Sequence, residues 1–198
     1  MKNVLIIFVA LLFFTSCKRK DNTIYLSEDI KRNYSFKTGS YWIYRDSISG
    51  REDSCYIGLL RLFTANEDRK NTRFIEVLQV GFTQVPIYAA STEKISREIR
   101  FMKNLIVINE FSCFYPIAQS KQNVSWESFS GTTEWLANYK LDGTTYQNVF
   151  NINFEPTNNS NSYYRNYWLN DSIGFIKMRE LGDTVNYVWE LQRFKIIK

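Results

Sequence analysis

Hydrophobic and polar residues alternate in short runs along most of this chain. The clearest run covers residues 184–197, where Val185, Tyr187, Trp189 and Leu191 share one face and polar residues take the other. A period of two is typical of a strand with one buried face and one wet face. Similar runs, rich in aromatic and β-branched residues, are 41–48, 54–64, 72–83, 87–90, 94–102, 105–111, 132–141, 144–154, 163–170 and 173–180.

Short turns separate these runs, and Asp142-Gly143 is the strongest hairpin signal because Asp-Gly fits a type I′ turn. Residues 91–103 are open to two interpretations, since Ile95 and Ile99 have helical spacing but also alternate with polar residues; two strands are preferred here. We predict an all-β fold: an antiparallel meander of about ten strands, curled into a half-barrel or barrel, in a single domain.

The N-terminal stretch MKNVLIIFVALLFFTSC departs from this pattern. Its unbroken apolar run from Val4 to Phe14 is too short to cross a bilayer of ~30 Å as a helix, and it fits a signal-peptide core. Small residues then precede Cys17. This order resembles the lipobox of bacterial lipoproteins, in the looser F-T-S-C form of Bacteroidetes lipoproteins, with Phe14 where leucine is usual.

The resemblance implies that residues 1–16 are a signal peptide and that Cys17 carries acyl chains such as palmitate, which anchor the chain to a membrane. Residues 17–37 are polar and are predicted to be a tether, followed by a β-rich domain over 38–198. Lys18 stands where an aspartate would retain such proteins in the inner membrane. By analogy we expect a cell-envelope location, on the periplasmic face of the outer membrane.

Two further stretches are similar to half-barrel lipoproteins of the same bacterial group. They are GSYWIY (39–44) and Tyr167-Trp168 followed by IGFIK (173–177). This resemblance implies a curved antiparallel sheet and brings no catalytic residues with it.

Composition excludes several kinds of chemistry. The chain has no histidine, which rules out Ser-His-Asp and Cys-His catalysis and histidine metal sites. It also lacks the glycine-rich motifs of nucleotide sites. We therefore expect no catalytic residues, no metal and no cofactor. The formal charge of +5 is spread along the chain, and we expect no nucleic-acid partner; the oligomeric state is left open.

Cysteines and Asp-Ser steps offer candidate modification sites. With Cys17 lipidated, Cys55 and Cys113 are a candidate disulfide pair, and two separate buried thiols are the alternative. A D-[ST]-apolar pattern resembles the O-glycosylation sequon of exported Bacteroidetes proteins, and the alternative is ordinary turn chemistry of aspartate. The candidate acceptors are Ser47, Ser54, Ser172 and Thr184.

Aromatic residues are the richest remaining signal, with five Trp, thirteen Tyr and fifteen Phe. Trp135, Tyr167 and Trp168 are candidate ligand-facing rings, although aromatic residues also favour strands and fill sheet cores. We expect a non-enzymatic, membrane-anchored envelope lipoprotein whose β domain holds a hydrophobic ligand such as a lipid. The alternatives are a surface module that binds glycan or protein through exposed rings and, third, a glycoside-active enzyme.

Overall fold

A computed structural model describes residues 22–67, 73–85, 95–102, 105–108, 111–114, 122–125, 129–156, 164–182 and 186–198. Within them lie helix α1 (Glu28–Tyr34) and strands β1 (Thr23–Ile24), β2 (Tyr41–Asp46), β3 (Glu52–Asn66), β4 (Phe74–Val85), β5 (Ile95–Met102), β6 (Leu105–Ile108), β7 (Phe111–Phe114), β8 (Gln122–Ser125), β9 (Phe129–Leu141), β10 (Thr144–Pro156), β11 (Tyr164–Asn170), β12 (Gly174–Leu181) and β13 (Asn186–Lys195).

These strands form one sheet in the order β7-β6-β5-β4-β3-β2-β13-β12-β11-β10-β9-β8, with β1 added in parallel beside β4. Neighbours in this order are antiparallel, and the sheet curls until β7 contacts β8 and β9. The predicted antiparallel meander in a single domain is confirmed, as a curled half-barrel. The last strand, β13, pairs with β2, so both halves of the chain meet at the middle of the sheet.

Details of the strand prediction are confirmed in two places. Residues 95–102 are a strand, so alternation and not helical spacing was the correct interpretation. Asp142 and Gly143 both have positive φ angles, 49° and 82°, as a type I′ turn requires. The candidate strand 87–90 lies outside the described residues.

Two strand predictions were wrong. Residues 105–111 were predicted to be one strand, but β6 ends at Ile108 and β7 begins at Phe111. No strand was predicted between residues 111 and 132, yet β8 lies there and pairs with β9. The sequence of β8, QNVS, has no apolar alternation, so its strand structure depends on pairing with β9, the next strand in the chain.

An aromatic core fills the inner face, which is the face of the sheet covered by α1. The ring of Phe82 lies 5.2 Å from that of Trp42 and 5.7 Å from that of Phe175. Tyr167 continues this row, 5.6 Å from Phe175. All four rings are buried, and rings of this size dominate the energetics of a small core.

Helix α1 closes the inner face. Ser27 caps it by accepting a hydrogen bond from the Ile30 N–H. Its last residue, Tyr34, is fully buried and stacks on Phe101 at a ring distance of 4.2 Å. Residues 22–37, which the sequence predicts to be part of a tether, instead belong to the folded domain. Leu26, Ile30 and Tyr34 lie at helical spacing, and all three are buried in the core. The sequence analysis did not recognise this apolar face because charged residues surround it.

Glu76 on β4 holds this segment in place. Its Oε2 atom accepts a hydrogen bond from the Leu26 N–H at 3.0 Å and lies 2.7 Å from Nζ of Lys31. The hydrogen bond to Glu76, with a second one to Glu28, raises the pKa of Lys31. The link therefore fixes the segment that contains α1 to β4.

Candidate functional site

A row of polar and aromatic side chains crosses the outer face, which is the face opposite α1. Trp168 on β11 pairs with Lys177 on β12, Lys177 pairs with Glu190 on β13, and Glu190 pairs with Arg45 on β2. Directly paired residues project from the same face of a sheet and interact. Tyr167 precedes Trp168 and projects into the core, so strand alternation places Trp168 outside.

Lys177 is the centre of this row. Its Nζ lies 2.7 Å from Oε1 of Glu190 and 5.4 Å from the centre of the Trp168 ring. Lys177 and Glu190 expose only 20% and 22% of their side chains. A cation over an indole face and a close, half-buried ion pair both hold the ammonium in one position.

The hairpin of β9 and β10 reaches over the same face. Tyr139 of β9 stacks on Trp168, with ring centres 5.9 Å apart and an interplanar angle of 30°. Burial raises the pKa of Tyr139, Lys177 acts in the opposite direction, and Glu190 adds to the increase. The phenol is therefore neutral at ordinary pH and presents a hydroxyl beside the ion pair.

A polar hollow of about 240 Å³ adjoins the row. Arg45 and Glu190 belong to both, so the row that contains Trp168 leads into the hollow. The turn of the β9–β10 hairpin contributes Asp142 from above. The hollow is lined by Arg45, Asp46, Ser47, Gly50, Asp142, Glu190 and Gln192.

Asp46 lines the hollow, and its carboxylate is engaged in hydrogen bonds within the protein. Its carboxylate accepts hydrogen bonds from the N–H groups of Ile48, Ser49 and Val188 and from the Ser49 hydroxyl. Burial alone would raise its pKa, but these four hydrogen bonds outweigh it, so the pKa of Asp46 is lowered. The side chain thus fixes the 47–50 turn to β13.

Asn151 on β10 borders Trp168 on the side away from Lys177. Its Oδ1 atom is buried, and no donor within the described residues reaches it. Buried acceptors are rarely left without a donor. Because this oxygen is enclosed, it is not a contact point for a molecule on the outer face.

The three candidate rings do not come together. Trp168 is half-buried in the outer row, whereas Tyr167 is fully buried and its hydroxyl donates to Oε1 of Glu180 at 2.9 Å. Trp135 is half-buried and packs against the core beside its strand partner Phe150. Only Trp168 of the three belongs to the outer-face site.

The candidate glycosylation sites differ in accessibility. Ser47 and Ser172 lie in exposed turns, Ser54 is half-buried in β3, and Thr184 lies outside the described residues. Asp46 accepts hydrogen bonds from the turn after it, as turn chemistry predicts. At Ser172 the turn acceptor is Oδ1 of Asn170, and at Ser54 the N–H donates to Oδ1 of Asp53 within β3. Glycosylation stays a prediction.

The cysteines lie apart in the sheet order. Cys55 is buried on β3, and Cys113 lies on β7 with β4, β5 and β6 between them. Neighbouring strands are about 4.8 Å apart, while a disulfide needs Cα atoms within about 7 Å. The proposed bond would therefore require the curl of the sheet to bring them together, and it stays a prediction. Cys17 lies outside the described residues.

Comparison with family models, with curated proteins and with solved structures finds no match to this chain. Across the described ranges, no group of three or more His, Cys, Asp or Glu side chains is arranged to hold a metal ion. Across the same ranges, no helix has the length and apolar character needed to span a membrane.

Proposed function

We propose that this chain is a non-catalytic binding module of the bacterial cell envelope that holds a glycan on its outer face. The observation that carries the proposal is the continuity of the Trp168 ring with the polar hollow through Lys177 and Glu190. Sugars combine an apolar ring face with a rim of hydroxyls. A site for them needs an aromatic surface beside several donors and acceptors, since small sites combine apolar walls with a few fixed polar groups.

Polar groups around the hollow suit a hydroxyl-rich molecule. Arg45 and Gln192 supply donors, and Asp142 and Glu190 supply acceptors. Carboxylates outnumber cations here, which disfavours an anionic ligand. The volume of about 240 Å³ is below the ~300–1,000 Å³ of drug-sized pockets and fits one sugar ring with its neighbours outside.

The inner face offers less support for a hydrophobic ligand. Fully buried rings such as Trp42 and Phe36 fill it, and α1 packs over them through Tyr34. A carrier built on this face would have to displace α1 from the aromatic core. We therefore favour the outer face over the concave apolar face as the binding surface.

The anchoring part of the proposal depends on the sequence alone. A lipobox-like F-T-S-C precedes the domain, and lipidation of Cys17 would hold the protein at the periplasmic face of the outer membrane. Several acyl chains anchor firmly, because each buried CH₂ contributes about 0.8 kcal/mol.

An oligosaccharide array tests the proposal. Wild type should bind one structural class of glycan, and Trp168→Ala should weaken that binding about tenfold, or ~1.4 kcal/mol. Tyr164→Ala is the matched control, because Tyr164 lies on the same strand, is exposed and is outside the site. The proposal is wrong if wild type binds no glycan and an organic extract of the purified protein contains a lipid. In that case the inner face is the binding surface.

A further inference from the structure

The distal half of β3, residues 57–66, is an unpaired edge among the described residues. β2 pairs with β3 only as far as Tyr56, whereas β4 pairs with it as far as Asn66. The opposite side of this segment therefore has no strand beside it in the part of the chain that the structure describes. Its backbone groups are positioned to receive one.

This edge is more apolar than an exposed edge usually is. Leu60, Leu62 and Phe63 expose 37%, 52% and 39% of their surface. Monomeric proteins blunt such edges with charges, proline or bulges. Here Arg61 is the only charged residue of the segment, and the segment contains no proline. Its register shift lies at the start, between Ile57 and Leu59, so residues 59–66 run on without a further shift against β4.

The exposed leucines continue the core. Leu62 pairs with Leu78 on β4, and Leu78 pairs with Phe101 on β5. Leu78 and Phe101 are buried, so the apolar row runs from the interior to the exposed Leu62 and stops there. A strand added beside β3 would extend this row and cover it.

We propose that the added strand is residues 57–66 of a second copy of this chain, paired antiparallel about a twofold axis at Leu62. A twofold interface uses one patch twice, so the patch must complement itself. In this register Leu62 faces the second copy's Leu62, and Arg61 faces the second copy's Phe63. Each guanidinium then lies over an aromatic ring, and no like charges oppose each other.

A twofold axis one residue to either side of Leu62 gives less favourable side-chain pairs. An axis at Arg61 would place two guanidinium groups directly opposite each other, which is destabilising. An axis at Phe63 would place Leu60 opposite the second copy's Asn66. The Leu62 register also pairs Leu59 with the second copy's Ala65, which keeps apolar residues together.

Cysteine cross-linking tests the register in the full chain, extracted in mild detergent with its N-terminal segment. Directly opposed antiparallel residues have Cα atoms about 4.5–5.5 Å apart, within disulfide range. On mild oxidation, Leu62→Cys should give a dimer band well above the wild-type background, with a 62–62 cross-linked peptide by mass spectrometry. Leu60→Cys alone should not, because its two copies lie about 13 Å apart along the strand.

The double variant Leu60→Cys/Thr64→Cys should cross-link 60 to 64. An equal yield from Leu60→Cys and Leu62→Cys would mean random collision and would overturn the proposal, as would no yield above wild type.

Native mass spectrometry gives a second measurement. Wild type should be dimeric, and Leu62→Lys, an exposed change, should be monomeric and folded. A wild-type monomer at every concentration would also overturn the proposal.

Discussion

Nζ of Lys177 lies 2.7 Å from Oε1 of Glu190, across the pairing of β12 with β13. The same ammonium lies over the Trp168 ring. One side chain therefore joins the aromatic part of the outer face to the polar hollow that Glu190 lines. This connection is the basis for treating the two parts as one site.

Removal of this link should affect binding more than folding. We expect Lys177→Ala to weaken glycan binding severalfold, because Trp168 and Glu190 lose the group that fixes their relative positions. Partly exposed ion pairs contribute about 0–1 kcal/mol, so urea unfolding should change by less than that. Arg193→Ala is the control, since Arg193 and Glu52 form a more exposed pair on β13 and β3. Equal effects of both variants on binding would count against the site.

Acid should weaken the fold partly through Asp46. Its pKa is lowered in the folded state, so its contribution is fully present above the unfolded pKa of about 3.9 and is lost as pH falls through the folded value. We expect Asp46→Ala to lower the free energy of unfolding by about 1–3 kcal/mol at pH 7. The difference from wild type should shrink below pH 4.

The control for Asp46 is Asp142→Asn. Asp142 is exposed, and Asn-Gly supports the same type I′ turn, so stability should be unchanged at both pH values. Urea titrations at pH 7 and pH 3 measure all three proteins. A constant gap between wild type and Asp46→Ala across this range would contradict the role assigned to the carboxylate.

The N-terminal segment should behave as part of the core. We expect Tyr34→Ala to cost about 3–5 kcal/mol of stability, because a fully buried ring stacked on Phe101 is removed. Tyr25→Ala is the matched change nine residues earlier, at an exposed ring, and it should be nearly neutral. Thermal unfolding compares them, and similar melting temperatures for both variants would mean that α1 does not close the inner face.

Lipidation gives a prediction independent of the fold. Cys17→Ser should abolish labelling by a palmitate analogue in an exporting bacterial host and release the protein from the membrane fraction. Cys113→Ser should keep the label. Labelling of Cys17→Ser at the wild-type level would exclude the lipobox interpretation.

Local patterns predicted most of the sheet. Alternation in β13 placed Tyr187 and Leu191 on the same face, and Leu191 is indeed in the core. Asp142-Gly143 gave the correct turn because its conformation depends on two adjacent residues only. α1 was missed because its first turns are rich in charge, and its apolar face is recognised only when the sheet beneath it is known.

The candidate site was predicted in part. Trp168 was one of three candidate ligand-facing rings, whereas Lys177, Glu190 and Tyr139 were not identified. Their proximity depends on strand register, and β11 and β12 shift register between Trp168 and Leu169. The Asn170-Asp171 turn indicates the hairpin, yet a one-residue shift reverses which side chains meet. Tyr139 reaches Trp168 only because the β9–β10 hairpin crosses the outer face, which no local pattern reveals.

The most direct test of the central claim is the response of the tryptophan indole N–H signals to the oligosaccharide selected on the array. Trp42 donates its indole N–H to the Ile173 carbonyl in the core and should not respond. We expect the Trp168 signal, assigned by its loss in Trp168→Phe, to shift progressively and to saturate. Saturable binding that leaves the Trp168 signal unchanged, or that moves the Trp42 signal instead, would contradict the proposal.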